Sequence, residues 1–164
     1  MRIHIQTTSN SSVVPFDYQQ KLIGTIHKWL GNNEIHDKIS LYSFSWLLGG
    51  EMIKNQGFNF PDGADFFVSF YEDGYLKILI RTILSDPEMF CGLAVRDITI
   101  VNQPIFSEDA QYFRLASPIF IKRLQDGTRN YKFYLYDDEV SGMLMTETFK
   151  HKMEEAGLPE AETL

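Results

Sequence analysis

Residues 1–33 read MRIHIQTTSNSSVVPFDYQQKLIGTIHKWLGNN, and the way this stretch folds decides the architecture. Arg2 to Thr7 alternates strictly, with Ile3 and Ile5 on one face and Arg2, His4 and Gln6 on the other, which predicts a half-buried strand. Ser9 to Pro15 is rich in small polar residues and closed by a proline, so it predicts a loop. Asp17 can cap a helix from about Tyr18 to Leu30, because Leu22, Ile23, Ile26, Trp29 and Leu30 recur three to four residues apart. Gly31-Asn32-Asn33 ends it with residues that tolerate a left-handed backbone. At about 100° per residue, His27 lies just off the apolar stripe, while Lys21 and Lys28 fall on the opposite, wet face.

Downstream, Ser40 to Leu48 alternates Tyr42, Phe44 and Trp46 against small residues, a strand with one aromatic face. A loop follows, marked by Gly49-Gly50, Gly57 and Pro61-Asp62-Gly63. Phe66 to Tyr71 and Tyr75 to Leu84 predict a hairpin about the Asp73-Gly74 turn. Pro87 in a first turn predicts a short helix through Leu93, and Val95 to Val101 a further strand. Strand, helix, a run of strands, short helix and strand read as the α+β, ferredoxin-like (RRM-like) βαββαβ arrangement, assigned to residues 1–108. In residues 109–164, Tyr112 to Leu124 and Asn130 to Tyr136 predict strands joined at Asp126-Gly127, and Glu139 to Ala156 a helix. Two strands and one helix do not complete a packed layer, so this region reads as a partial second ferredoxin-like domain.

The 164 residues, 44% of them hydrophobic, suffice for a buried core. A single cysteine, Cys91, excludes an internal disulfide framework and suits a reducing cytoplasm. No run of eighteen apolar residues occurs, so no membrane partner is expected. The net charge of −7 argues at first against a nucleic-acid partner. Its distribution removes that objection. Residues 1–136 hold 13 Lys+Arg against 14 Asp+Glu, whereas residues 137–164 hold 2 against 8. The acidity belongs to the last segment, and the body can carry a basic strip.

None of the four histidines forms the i, i+4 pair of a helical zinc site or neighbours a cysteine, so neither a metal nor another cofactor is expected. His151, among Glu147, Glu154 and Glu155, reads as a solvated helix residue, and His4 as an ordinary strand residue whose face can also stack a base. Cys91 has no neighbouring base and reads as a structural thiol. One cluster has chemistry. His27 closes the helix, and Glu34-Ile35-His36-Asp37-Lys38 follows in the turn that leads back past the helix end. Imidazole beside lysine suits metal-free cleavage of RNA, with histidine moving protons and lysine countering charge on the phosphate. Polar loop residues with no such role are the alternative.

Three phrases resemble a known family. Val14-Pro15-Phe16-Asp17-Tyr18 leading to Leu22, Ile26 and His27 is similar to the first helix of the CRISPR-associated endoribonucleases that cut precursor CRISPR RNA within its repeats. Lys38 before Leu41-Tyr42-Ser43-Phe44-Ser45 resembles that family's second strand, and Phe113-Arg114-Leu115-Ala116-Ser117-Pro118-Ile119 resembles the strand opening its second domain. The resemblance implies two tandem ferredoxin-like domains and metal-independent cleavage by 2′-hydroxyl attack, giving a 2′,3′-cyclic phosphate. It places catalysis on His36, His27 and Lys38 and implies CRISPR repeat RNA as the partner, and the body's basic strip, with Lys28, Arg114, Lys122, Arg123 and Arg129, is where that RNA is expected to bind. The family's glycine-rich loop is missing, so the chain reads as truncated, with an activity that the fragment itself need not retain. A non-catalytic RNA-binding or structural subunit of a CRISPR ribonucleoprotein is the alternative, with other effector subunits as partners. A homodimer is also allowed for, because an incomplete second domain exposes strand edges.

Overall fold

The computed structural model describes residues 1–31, 41–101, 121–125 and 129–158. The chain divides into two compact units, Met1–Glu108 and Asp109–Leu164.

In the first unit, β1 (Arg2–Thr7), α1 (Gln19–Leu30), β2 (Tyr42–Phe44), β5 (Asp65–Phe70), α2 (Asp73–Ser85) and β6 (Val95–Val101) follow one another, with a small hairpin of β3 (Glu51–Ile53) and β4 (Gly57–Asn59) inserted after β2. The four long-range strands form one antiparallel sheet in the order β2-β5-β1-β6. That order, with both helices between strands, is the ferredoxin-like α+β arrangement. Its register follows from the alternation in β1. Ile3 and Ile5 are fully buried and lie opposite Val68 and Phe66 on β5 and Ile100 and Ile98 on β6, while His4 lies opposite Phe67 and Thr99. A one-residue slip would bury Arg2 and His4 and expose both isoleucines, so the register is strongly specified.

The helices cover the apolar face. Leu22, Ile26, Trp29 and Leu30 of α1 and Leu76, Leu79 and Ile83 of α2 are all buried in one core with Ile3, Ile5, Phe66, Val68 and Phe70. Two anchors hold α1. The indole N–H of Trp29 donates to the Asp86 carbonyl at 2.8 Å, and the Lys28 ammonium meets the Asp86 carboxylate at 2.9 Å. The buried Tyr18 hydroxyl accepts the Leu47 N–H at 3.0 Å. Tyr18→Phe strands that N–H in the core, and an unsatisfied buried donor costs about 1–3 kcal/mol. Urea unfolding should show a loss in that range; an unchanged midpoint would mean that Leu47 has another partner.

Residues 73–85 correct the expected hairpin. The run Tyr75 to Leu84 is apolar in both strand phases, and such a run does not separate strand from buried helix by periodicity alone. Leu76, Leu79 and Ile83 satisfy the three-to-four spacing, and burying that stripe on the sheet selects the helix. Asp73 then sits in the first turn, where an acidic side chain complements the helix dipole, instead of in a β-turn. The short helix expected over residues 87–93 is absent. Cys91 and Gly92 have φ of 56° and 77°, outside the right-handed helical region. The Cys91 carbonyl there accepts the Ser11 and Ser12 N–H groups at 2.9 and 3.2 Å.

Two smaller readings also change. The predicted loop over residues 49–63 contains the β3–β4 hairpin, whose Gly57 has φ of 151° and brings its backbone against Val14; a Cβ there would lie 2.0 Å from the Val14 carbonyl oxygen. The strand expected over residues 40–48 is regular only from Tyr42 to Phe44, so Trp46 lies outside it and is half exposed.

In the second unit, β7 (Ile121–Leu124) pairs antiparallel with β8 (Tyr131–Tyr134), and α3 (Ser141–Glu155) follows. The earlier part of the predicted strand, residues 112–120, and the Asp126-Gly127 turn lie outside the described residues. Among the described residues, no helix is long and apolar enough to cross a membrane.

Candidate functional site

His27 belongs to the last turn of α1, whose end is set by Gly31 with φ of 69° and its N–H bonded to the His27 carbonyl at 3.0 Å. The helix dipole favours cationic side chains in that turn. The apolar stripe carries Ile26 and Trp29 fully into the core and leaves His27 half-buried at its margin.

The next strand meets it there. The Tyr42 hydroxyl lies 3.2 Å from His27 Nε2, and the two rings contact edge to face with centroids 6.1 Å apart. Tyr42 is itself held by near-parallel rings, Phe70 at 5.4 Å and Phe44 at 6.3 Å. Burial pushes its phenol above the ordinary tyrosine value, so it stays protonated through neutral pH. The His27–Tyr42 pair brackets the chain connection of residues 32–40, because α1 ends just before it and β2 begins just after. His36 and Lys38 fall on that connection, outside the described residues, as does Arg114 in the second unit.

The described cations differ in what they do. Lys28 is exposed but engaged: its ammonium donates to the Glu88 carbonyl at 2.6 Å and to the Asp86 carboxylate at 2.9 Å, and the bond to Asp86 holds that carboxyl below its usual range. In the second unit, Arg123 is pinned to α3, its guanidinium donating to the Leu144 carbonyl at 3.2 Å and the Thr148 hydroxyl at 3.0 Å. Lys122 and Arg129 are exposed, with the Lys122 ammonium 4.9 Å from the centre of the Tyr131 ring. His151 makes the expected helix pair, 3.3 Å from the Glu154 carboxylate. Among the described residues, no three His, Cys, Asp or Glu side chains come together as metal ligands.

A second constellation was not read from the sequence. On the sheet face away from the helices, the Arg2 guanidinium lies 4.1 Å from the centre of the Phe67 ring and donates to the Ser69 hydroxyl at 2.8 Å. His4 approaches the same ring at 5.9 Å with a 42° tilt. Cation, aromatic and imidazole thus share one open surface, the combination on which nucleobases stack. The alternation of β1 already put Arg2 and His4 on this face. Phe67 joins them through the β1–β5 register, which has no signature within either strand alone.

An open groove of about 400 Å³ between α2 and β6 is lined by Ile80, Ile83, Leu84, Ile98 and Ile100. It lies at the opposite sheet edge from Tyr42.

No protein-family model matches the sequence, and no curated protein does. Solved structures do match. A protein described as the product of a Cas6-related gene from Pyrococcus furiosus superposes with a TM-score of 0.80 at 20% identity, over 98% of this chain and 73% of the other. A CRISPR-associated protein Cas6 gives 0.72 at 20% identity, over 96% and 71%. A RAMP protein described as binding different RNA substrates gives 0.73 at 15% identity, over 96% and 72%. The chain therefore has the α+β, ferredoxin-like fold of these CRISPR-associated structures.

Proposed function

We propose that this protein binds CRISPR repeat RNA and is a metal-independent endoribonuclease that cuts the precursor within its repeats. The observation that carries the reading is the His27–Tyr42 pair at the end of α1, bracketing the connection on which His36 and Lys38 fall. The fold shared with Cas6 structures supports it, as does the likeness to an RNA-binding RAMP protein.

In the proposed reaction, one histidine accepts the proton of the 2′-hydroxyl, whose oxygen attacks the adjacent phosphorus. The bond from phosphorus to the 5′-oxygen breaks, and the other histidine protonates that oxygen. The products are a 2′,3′-cyclic phosphate and a 5′-hydroxyl. Lys38 offsets the charge that grows on the phosphate oxygens. Such an enzyme acts in the cytoplasm, alone, as a homodimer or beside other CRISPR effector subunits. Incubating the protein with its cognate repeat RNA in EDTA should give both products, and His36→Ala should remove them. Cleavage that requires added metal would sink the mechanism.

A second reading, an RNA-binding subunit that does not cut, is favoured by the Arg2–Phe67–His4 surface, which needs no chemistry to hold a base. The two differ over a 2′-deoxy substitution at the cut site, which blocks cleavage and leaves pure binding almost unchanged. Both readings place a base on Phe67. Stacking is worth about 1–3 kcal/mol per base, so Phe67→Ala should weaken single-stranded RNA binding roughly 5- to 150-fold. Fluorescence anisotropy at fixed salt reads this directly, and an unchanged Kd would remove the face from the interface.

A further inference from the structure

We propose that the open sheet face of the first unit selects guanine from single-stranded RNA, with Asp65 and Gln6 as the residues that read the base. This rests on the reading above that places a base on Phe67. Two rungs of the sheet carry it. His4 lies opposite Phe67 in the β1–β5 register, and Gln6 lies opposite Asp65 one rung along the same face. Alternate residues of a strand stand about 6.8 Å apart, so Gln6 and Asp65 border the stacking surface on the side away from Arg2. Both are exposed, and Gln6 Nε2 donates to Asp65 Oδ1 at 2.9 Å. A carboxylate only accepts, so this bond fixes which end of the Gln6 amide faces Asp65. Among the described residues, no lysine or arginine pairs with Asp65.

The edge so presented runs acceptor, acceptor, donor: the two Asp65 oxygens, then the second N–H of the Gln6 amide. Guanine alone among the four bases offers the complement, adjacent donors at N1 and N2 with the O6 acceptor next to N1. Uracil has a single N–H between two carbonyls. Adenine and cytosine set one amino group beside a bare ring nitrogen, whose lone pair would face a carboxylate oxygen. Unpaired bases stacked on a protein surface are read on this Watson–Crick edge. The charges along the face agree. A carboxylate repels phosphate, so the Asp65 end suits a base edge and not the backbone. Arg2, 4.1 Å from the centre of the Phe67 ring, puts its positive charge at the other end, where a phosphate can lie.

The test is the anisotropy Kd of the whole chain, at fixed salt, for labelled uridine hexamers carrying one guanosine, adenosine, cytidine or inosine. The guanosine hexamer should bind about 5- to 150-fold more tightly than the adenosine, cytidine and all-uridine ones, the range for one bidentate base contact. Inosine, which lacks the N2 amino group, should lose most of that margin. Asp65→Asn should bring the guanosine-to-uridine ratio close to one. The backbone bonds between Asp65 and Leu48 are untouched, so the variant should fold. Removing a negative charge strengthens binding to every RNA, and the ratio cancels that effect. Asp97→Asn removes the same charge from the other side of Gln6, on β6, and should leave the ratio at the parent value. Equal Kd values for guanosine and uridine overturn the proposal. So does a preference that survives Asp65→Asn, that falls as far in Asp97→Asn, or that inosine keeps in full. Phe67→Ala separates this proposal from the reading beneath it. If it weakens every hexamer while guanosine is not preferred, the stacking face stands and the guanine assignment falls. If it changes no Kd, or no hexamer binds, both fall together.

Discussion

Replacing His27 with alanine is expected to slow cleavage of repeat RNA by about 10²–10⁴-fold, the usual contribution of a positioned acid or base. At 1.36 kcal/mol per decade this corresponds to about 2.7–5.4 kcal/mol of transition-state stabilisation. The effect should fall on the cleavage rate and leave RNA affinity nearly unchanged, because His27 is half-buried at a helix end and does not belong to the Arg2–Phe67 face. Single-turnover kinetics in EDTA, with the melting temperature followed in parallel, separate a chemical defect from a folding one. The core stripe of α1 is carried by Leu22, Ile26, Trp29 and Leu30, so the variant should fold. Undiminished cleavage by a folded His27→Ala protein would take His27 out of the active site.

Trp29→Ala is expected to give the largest loss of stability, about 3–5 kcal/mol. Trp29 is completely buried, and its indole N–H closes a 2.8 Å bond to the Asp86 carbonyl. The alanine variant loses the apolar contacts, opens a cavity and leaves the Asp86 carbonyl without its indole donor. Against a total stability of about 5–15 kcal/mol, that is a large fraction. Trp29→Phe should cost less, since it fills most of the space and forfeits mainly the hydrogen bond. Equilibrium urea unfolding followed by far-ultraviolet circular dichroism measures both. A Trp29→Ala loss below about 1 kcal/mol would contradict its place as the pin between α1 and the segment after α2.

Much of the first unit is legible in the sequence. The alternation of Arg2 to Thr7 and the three-to-four spacing of Leu22, Ile26 and Trp29 each commit one local element to one buried face, and both elements are where the pattern puts them. His27 at the edge of that stripe followed from helix geometry alone. The run Tyr75 to Leu84 was not legible, since apolar residues in every phase suit a buried strand and a buried helix equally. The β3–β4 hairpin was missed because three-residue strands between glycines carry too little pattern to distinguish from a loop.

The site divides along the same line. The sequence by itself determined which side chains share a face within one element: Arg2 with His4 on β1, and His27 beside the core stripe of α1. Only the tertiary structure decided which elements face each other. The antiparallel β1–β5 register sets Phe67 opposite His4 and within diagonal reach of Arg2, and the β2–β5 pairing sets Tyr42 on Phe70 with its hydroxyl at His27. The physical reason is range. Periodicity is enforced residue by residue along a strand or helix, whereas cross-element contacts come from the packing of the whole core, which joins residues 15 positions apart at His27 and Tyr42 and 67 apart at Arg2 and Ser69.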